Sequence, residues 1–314
     1  ALRYDYNTAT SDTLFRSKPN GDAVYENAQT SSTYNNISFS AGITWHINAS
    51  NSLVFSLGRG SRSPDMTERY IILLPISYDP YDYLGNPQLN PEVNNELDLG
   101  YRFNSRKVGS IDVSVFYSYV TNYITGELVP PSVLKPQTKG VLGVKKFINI
   151  DKAYLAGFEF SYATAAQFKW FANFNAAYTM GINPKAIQYI FEGGEVVGEQ
   201  VIKNDPLPEI PPFEANISAG YRFLNQKLVP EFNIRLVAAQ NKVSKAYSES
   251  TSPAFTTLNF VLAYHYNANL KVYAGVNNIF NTTYYEHINR RIIGSSAPLY
   301  EPGRLFYLNL IIHL

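Results

Sequence analysis

The chain has no cysteine, two methionines and two tryptophans in 314 residues. Without cysteine there is neither a disulfide framework nor a thiolate metal site. No run of about 18 or more apolar residues occurs, which excludes transmembrane helices but leaves open a transmembrane barrel, whose apolar surface is hidden in alternation. The formal net charge is +1, from 26 basic and 25 acidic residues spread without a basic block, so nucleic acid is set aside as a partner. No Ser/His/Asp spacing and no glycine-rich phosphate loop is present, and carboxylates stand singly on loops, so no enzymatic activity and no intrinsic cofactor are expected. The opening ALRYDYNT is strand-like and lacks the charged and apolar regions of a signal peptide. The chain is therefore expected to be a piece of a longer protein whose targeting signal precedes Ala1.

Aromatics are plentiful: 25 Tyr and 19 Phe. Period-two alternation marks about twelve strands, over roughly 1–8, 36–47, 52–62, 93–103, 110–124, 146–163, 168–180, 213–224, 228–241, 256–266, 270–280 and 304–314. In the second, Ile37, Phe39, Ala41, Ile43 and Trp45 share one face, while Ser38, Ser40, Gly42, Thr44 and His46 share the other. Connections alternate in length. Short turns fall near 48–51, 104–109, 164–167, 225–227 and 267–269, and long loops near 9–35, 63–92, 125–145, 181–212, 242–255 and 281–303. Short periplasmic turns and long extracellular loops characterise outer-membrane barrels.

A water-soluble β-sandwich would also alternate. Two features weigh against it. An apolar-face aromatic lies beside every short turn: Trp45, Tyr101 with Phe103, Tyr162, Tyr221 with Phe223, and Tyr264 with Tyr266. Such a girdle suits one membrane interface. The polar faces, rich in Asn, Ser, Gly, Asp and Arg, suit a wet lumen. The last strand puts Phe306, Leu308, Leu310, Ile312 and Leu314 on one face, like a barrel-insertion signal, but ends in Leu rather than an aromatic residue.

Several ordered segments now resemble one family. GRGSRSPDMTERY (58–70) with GNPQLNPEVNNELDLGYRF (85–103), then VSVFYSYVTNYI (113–124) with FINIDKAYLAGFEFSY (147–162), and finally GVNNIFNTTYYEH (275–287) with EPGR (301–304) resemble TonB-dependent outer-membrane receptors. The resemblance implies an all-β fold: a transmembrane antiparallel β-barrel of about 22 strands with a plug inside it. Residues 1–314 would be the C-terminal portion of that barrel, with the plug and first strands outside this chain. It further implies the bacterial outer membrane as location, and as partners its lipid, the plug-bearing N-terminal part and the TonB energy-transducing complex. PLPEIPPFEANISAGYRF (206–223), IRLVAAQNKVS (234–244) and YYEHINR (284–290) look most like receptors for metals and metal complexes, the copper subgroup in particular, with zinc, siderophore and haem receptors related.

Candidate ligand-binding residues follow. PDMTERY sets Met66, Glu68 and Arg69 at the start of a long loop. Thioether sulfur suits Cu(I), while Glu and His suit Zn(II) or Cu(II); the plainer reading is a Glu68–Arg69 ion pair. His287 lies among Tyr284, Tyr285, Glu286 and Asn289 where a strand enters an outer loop. It could ligate a transported metal, with Met66 the second candidate ligand, or simply hydrogen-bond the loop. The Tyr- and Asp-rich loop 71–92, with Tyr83 in it, could close over a ligand or pack for stability alone. His46, His265 and His313 fall on polar positions at the periplasmic side. Lumen charges Arg59, Arg62, Asp98, Arg102, Glu159, Arg222 and Arg235 are expected to pair with a plug. An energy-dependent importer of a scarce nutrient is thus expected; a passive porin, or a surface adhesin or assembly component, are the rival classes.

Overall fold

Alternating sequence becomes a ladder of backbone hydrogen bonds. The computed structural model describes residues 1–10, 31–76, 79–192, 195–289 and 297–313; residues 11–30, 77–78, 193–194 and 290–296 and Leu314 lie outside them. The elements are β1 (Leu2–Thr10), β2 (Ser31–Asn48), β3 (Asn51–Arg62), α1 (Met66–Tyr70), β4 (Ile72–Pro75), β5 (Asp82–Leu84), β6 (Glu92–Ser105), β7 (Gly109–Val129), β8 (Val144–Thr164), β9 (Trp170–Glu192), β10 (Glu195–Pro206), β11 (Glu214–Tyr221), β12 (Leu228–Val237), β13 (Phe255–His265), β14 (Leu270–Asn277) and β15 (Leu305–Ile312). Twelve of them run in one antiparallel path, β1-β2-β3-β6-β7-β8-β9-β11-β12-β13-β14-β15. These are the twelve strands legible in the alternation. Among the described residues β1 and β15 do not pair with each other, so the curved wall has two free edges.

The pleat sorts the side chains. Ile37, Ile43 and Trp45 on β2, Leu53, Phe55 and Leu57 on β3, and Phe306, Leu308, Leu310 and Ile312 on β15 are all exposed. A soluble monomer rarely leaves so continuous an apolar surface in water; lipid is the solvent that accepts it. The aromatic girdle is on the same face, with Trp45, Tyr101, Tyr221, Phe223, Tyr264 and Tyr266 exposed beside the short turns and Trp170 joining them. At one of these turns Gly109 holds φ +123°, where a Cβ would stand 2.0 Å from the Ala163 carbonyl.

Crossing a bilayer takes about 9–11 tilted residues per strand. β7 and β8 have 21 residues each and β9 has 23, so their outer ends project well past the membrane. Here the expected loop 181–212 is corrected: β9 continues upward and β10 folds back on it, with Val201 opposite Ile187 and Lys203 opposite Lys185. The loop 63–92 is also structured, carrying α1 and the β4–β5 pair, and β5 lies parallel to the outer end of β8. The buried apolar clusters sit in this outer part, under the loops: Tyr81, Tyr83, Leu89, Ile124 and Phe147 form one, and Leu73, Leu84, Leu134 and Val144 another.

Several of the lumen charges expected to pair with a plug have partners within the chain. Arg102 meets Asp112 at 3.3 Å, Arg62 meets Glu68 at 2.9 Å and Glu92 at 3.5 Å, and Arg235 meets Glu214 at 2.7 Å. Arg59 donates to Asn95 (3.1 Å), Arg222 to the Phe168 carbonyl (2.7 Å), and Asp98 accepts from Ser56 (3.0 Å).

Candidate functional site in the outer loops

Local sequence builds the loop after β3. Asp65 caps α1: its carboxylate accepts from the Glu68 amide at 2.7 Å, and Glu68 accepts in return from the Asp65 amide at 2.8 Å. This reciprocal pair satisfies two orphan donors of the first turn. Further on, Asp82 is fully buried and accepts from the Gln137 and Thr138 amides at 2.7 and 2.8 Å, which fastens the loop after β7 to β5.

Tyr83 is 0% exposed and packs on Phe147, ring centroids 5.1 Å apart. Its hydroxyl meets Asp79 at 3.0 Å and also the hydroxyl of Tyr247, which arrives from the loop between β12 and β13. Asp79 forms an ion pair with Lys145, which is 1% exposed at the outer end of β8. The Lys145 ammonium lies against two aromatic faces, 4.2 Å from the Tyr81 centroid and 3.1 Å from that of Tyr247. Burial lowers the Lys145 pKa to about 8 even though Asp79 works to raise it. Burial likewise pushes the phenols of Tyr83 and Tyr247 far up, so both stay protonated donors.

A second set of contacts ties in the remaining loops. Buried Asp205, near the end of β10, accepts from the Ser244 hydroxyl (2.6 Å) and from the Lys245 and Ala246 amides (3.0 and 3.2 Å). Glu249 accepts from the Glu209 and Ser244 amides at 2.6 and 3.0 Å. His287 stands between Glu249, 3.2 Å from Nε2, and Ser252, 3.1 Å from Nδ1. Because a carboxylate only accepts, the neutral ring carries its hydrogen on Nε2 and accepts from Ser252 through Nδ1. The neighbouring Glu286 joins Arg235 on β12.

These loops enclose a cavity of about 330 Å³, lined by Asp79, Tyr81, Lys145, Glu209, Tyr247, Glu249, His287 and Asn289 among others. Among the described residues three carboxylates face one ammonium. The Glu209 carboxyl titrates above its usual range, through burial first and then the charges of Asp79 and Glu249. The cavity walls thus favour a cation and repel an anion.

Of the residues singled out in the sequence, His287 lines this cavity and Tyr83 supports it from behind. Met66 is exposed on α1, outside the lining, and is not brought together with His287. The Glu68–Arg69 pair is corrected: Glu68 pairs with Arg62 instead, while Arg69 is buried with its guanidinium 5.6 Å from the Tyr34 ring and 5.3 Å from that of Tyr70. Among the described residues no three His, Asp or Glu side chains converge as a metal cage. Lys145, Glu209, Tyr247 and Glu249 were missed in the sequence, and Asp79 entered only as part of the Tyr- and Asp-rich loop 71–92. A partial signal was there: a lysine pair, Lys145–Lys146, in an otherwise apolar strand start must turn one charge inward.

A family profile described as "TonB dependent receptor-like, beta-barrel" matches residues 1–279. No curated protein sequence matches the chain. Among solved structures, the copper transporter OprC superposes with a TM-score of 0.77 at 21% identity, over 99% of this chain and 44% of that one. The FrpB iron transporter of Neisseria meningitidis gives 0.63 at 17%, over 98% and 42%, and a ferric enterobactin receptor of Pseudomonas aeruginosa gives 0.64 at 15%, over 99% and 50%. The chain therefore spans half or less of the length of these proteins, and at such identities the likeness is one of fold.

Proposed function

This chain belongs to the TonB-dependent receptor β-barrel family, and from that premise we propose that it forms barrel wall and ligand-gripping outer loops of an outer-membrane receptor importing a metal ion or a cationic metal complex. The observation that carries the ligand class is the outer cavity, with Asp79, Glu209 and Glu249 against the ammonium of Lys145 among the described residues and with His287 on its wall. Imidazole and carboxylate together suit Cu(II) or Zn(II), whereas a highly anionic ferric complex would meet like charge. The OprC likeness in fold is compatible with that choice. His287 and Glu249 are two first ligands; since no third carboxylate or imidazole of the described residues completes the set, the others come from water or from the plug. Met66, outside this cavity, is assigned to a second contact surface on the loop after β3, where it is open to a passing soft ion, and Arg69, buried against Tyr34 and Tyr70, braces that loop from beneath.

In this scheme further strands cover the free edges of β1 and β15, because unpaired backbone in lipid costs several kcal/mol per group. A plug fills the lumen trough lined by Asp98, Arg102, Asp112 and Glu159, and TonB supplies the pull that opens it. No step is enzymatic.

The test is equilibrium binding of Cu²⁺, Zn²⁺ and a ferric catecholate to the full-length receptor, with uptake by cells as companion. Cu²⁺ or Zn²⁺ is expected to bind, and Glu249→Gln or His287→Ala to weaken it about tenfold or more. Tight binding of the anionic ferric complex with no binding of either metal would overturn the proposal.

A further inference from the structure

Glu286 and His287 are adjacent in the chain yet reach different parts of the molecule. His287 faces Glu249 in the outer cavity (3.2 Å), whereas Glu286 is bonded by Arg235, through Nη1 and, at 3.2 Å, Nη2. Arg235 belongs to the barrel wall: it is on β12, opposite Asn216 of β11. The same guanidinium holds Glu214 of β11 through two bonds, Nε at 2.9 Å and Nη2 at 2.7 Å. Glu214 also accepts from Asn216 at 2.8 Å and lines the lumen trough. A flat guanidinium with five donors is the one side chain that can fork to two carboxylates at once. Its plane is supported by Phe255, 5.2 Å away, and Phe255 stacks on Tyr284 of the same loop at 4.3 Å.

Resting on the reading of the outer cavity as the ligand site, we propose that Arg235 is a positioning residue: its bond to Glu286 sets the place of His287 in the cavity from the lumen wall, so that the lumen and the ligand site share one movable joint. Glu249 carries the connection outward, since it accepts from Glu209 and Ser244 as well as from His287. Releasing Glu286 frees His287, and the segment 244–252 then loses one of its anchors, the bonds of His287 to Glu249 and Ser252. In the other direction, a cation that draws Glu249 and His287 toward itself pulls on Glu286, and Arg235 retains Glu214 as its second partner. The guanidinium thus stays paired in both arrangements, so the partly buried charge does not oppose the change. Asp205, through Ser244, Lys245 and Ala246, and the Lys145 network, through Tyr247, are the segment's remaining anchors.

Amide hydrogen exchange on the full-length receptor in detergent micelles tests this, with Arg235→Gln, Glu286→Gln and the double variant, alongside Cu²⁺ titration of the same samples. Each single variant is expected to raise exchange in 244–252, a segment neither side chain bonds, by about tenfold, and to weaken Cu²⁺ by a similar factor. The double variant should go no further than either single one, because Arg235 acts through Glu286. Arg235→Lys, a point charge without the fork, should restore part of the protection. Unchanged exchange in 244–252 in both single variants, or effects that add in the double, would overturn the proposal. Should the variants show the expected exchange pattern while the wild type binds no Cu²⁺, the ligand reading falls and the joint stands. Should Cu²⁺ bind wild type and Arg235→Gln alike with unchanged exchange, the joint falls and the ligand reading stands.

Discussion

Replacing Asp79 by Asn leaves Lys145 buried between Tyr81 and Tyr247 without its counter-charge. Stranding a buried charge ordinarily costs about 3–5 kcal/mol. Lys145 has an escape, because its pKa in the docked loop is already down to about 8. At pH 7, one pH step below that value, the ammonium can shed its proton for roughly 1–2 kcal/mol. The cost of Asp79→Asn is therefore capped near that value at pH 7, about a tenfold rise in opening of the docked loop, and shrinks to little at pH 9, where Lys145 is already mostly neutral in the wild type. The sign for the wild type follows from the same numbers. The docked loop holds the Lys145 proton less tightly than the open loop, so between pH 8 and the ordinary lysine value of 10.5 the open state binds more protons and docking strengthens as pH rises. Below pH 8 both states are charged and this dependence disappears. Hydrogen exchange of the amides of Asp82–Leu84, corrected for intrinsic pH dependence, reads both effects on wild type and variant at pH 7 and pH 9. An Asp79→Asn effect of equal size at the two pH values would refute the reasoning.

Three further outcomes are expected. Leu97, exposed on the apolar face of β6, should tolerate Phe, whereas Leu97→Arg costs about 2–4 kcal/mol near the midplane, measured by urea titration of the receptor in lipid vesicles. Gly220→Ala puts a methyl 2.3 Å from the Phe171 ring and 2.5 Å from the Pro230 carbonyl, so it should destabilise the β9–β11–β12 region by about 1–3 kcal/mol in the same assay. Tyr83→Phe keeps the packing on Phe147 and removes the hydroxyl that meets Asp79 and Tyr247; a loss of about 1–3 kcal/mol of loop docking should appear as faster proteolysis after 76–79, with the barrel's unfolding midpoint unchanged.

The wall was legible and the loops were not, for a physical reason. A strand between lipid and lumen must alternate, because both solvents act on every residue along its length. Ile37 to Trp45 on one face and Ser38 to His46 on the other follow from that constraint alone. Beyond the membrane it lapses. β9 runs on beyond the membrane, where Lys185 and Ile187 are exposed and Ala186 is buried under the loops, so the segment after Met180 carries no regular lipid-facing stripe and reads as a loop although its backbone is paired to the end of β10. α1 escaped for a different reason: five residues are too few to show a 3.6-residue period, and only the Asp65–Glu68 capping box marks it.

The cavity residues obey neither rule, since they meet only through the fold. Asp79 and Lys145 are 66 positions apart and Tyr83 and Tyr247 are 164; no local spacing relates them. What the sequence did carry was the company of His287, a histidine among tyrosines and a carboxylate where a strand enters an outer loop. That setting requires the imidazole to be satisfied, and Glu249 and Ser252 satisfy it. The same setting misled for Met66, Glu68 and Arg69, where three polarisable or charged side chains in one short segment suggested a single site. A one-turn helix sends them apart: the capping box claims Glu68, the Tyr34 and Tyr70 rings claim Arg69, and Met66 is left exposed. A ligand site in loops is therefore better sought where long-range contacts force unlike charges under cover, as Lys145 and Asp79 are, than where suitable residue types crowd together in sequence.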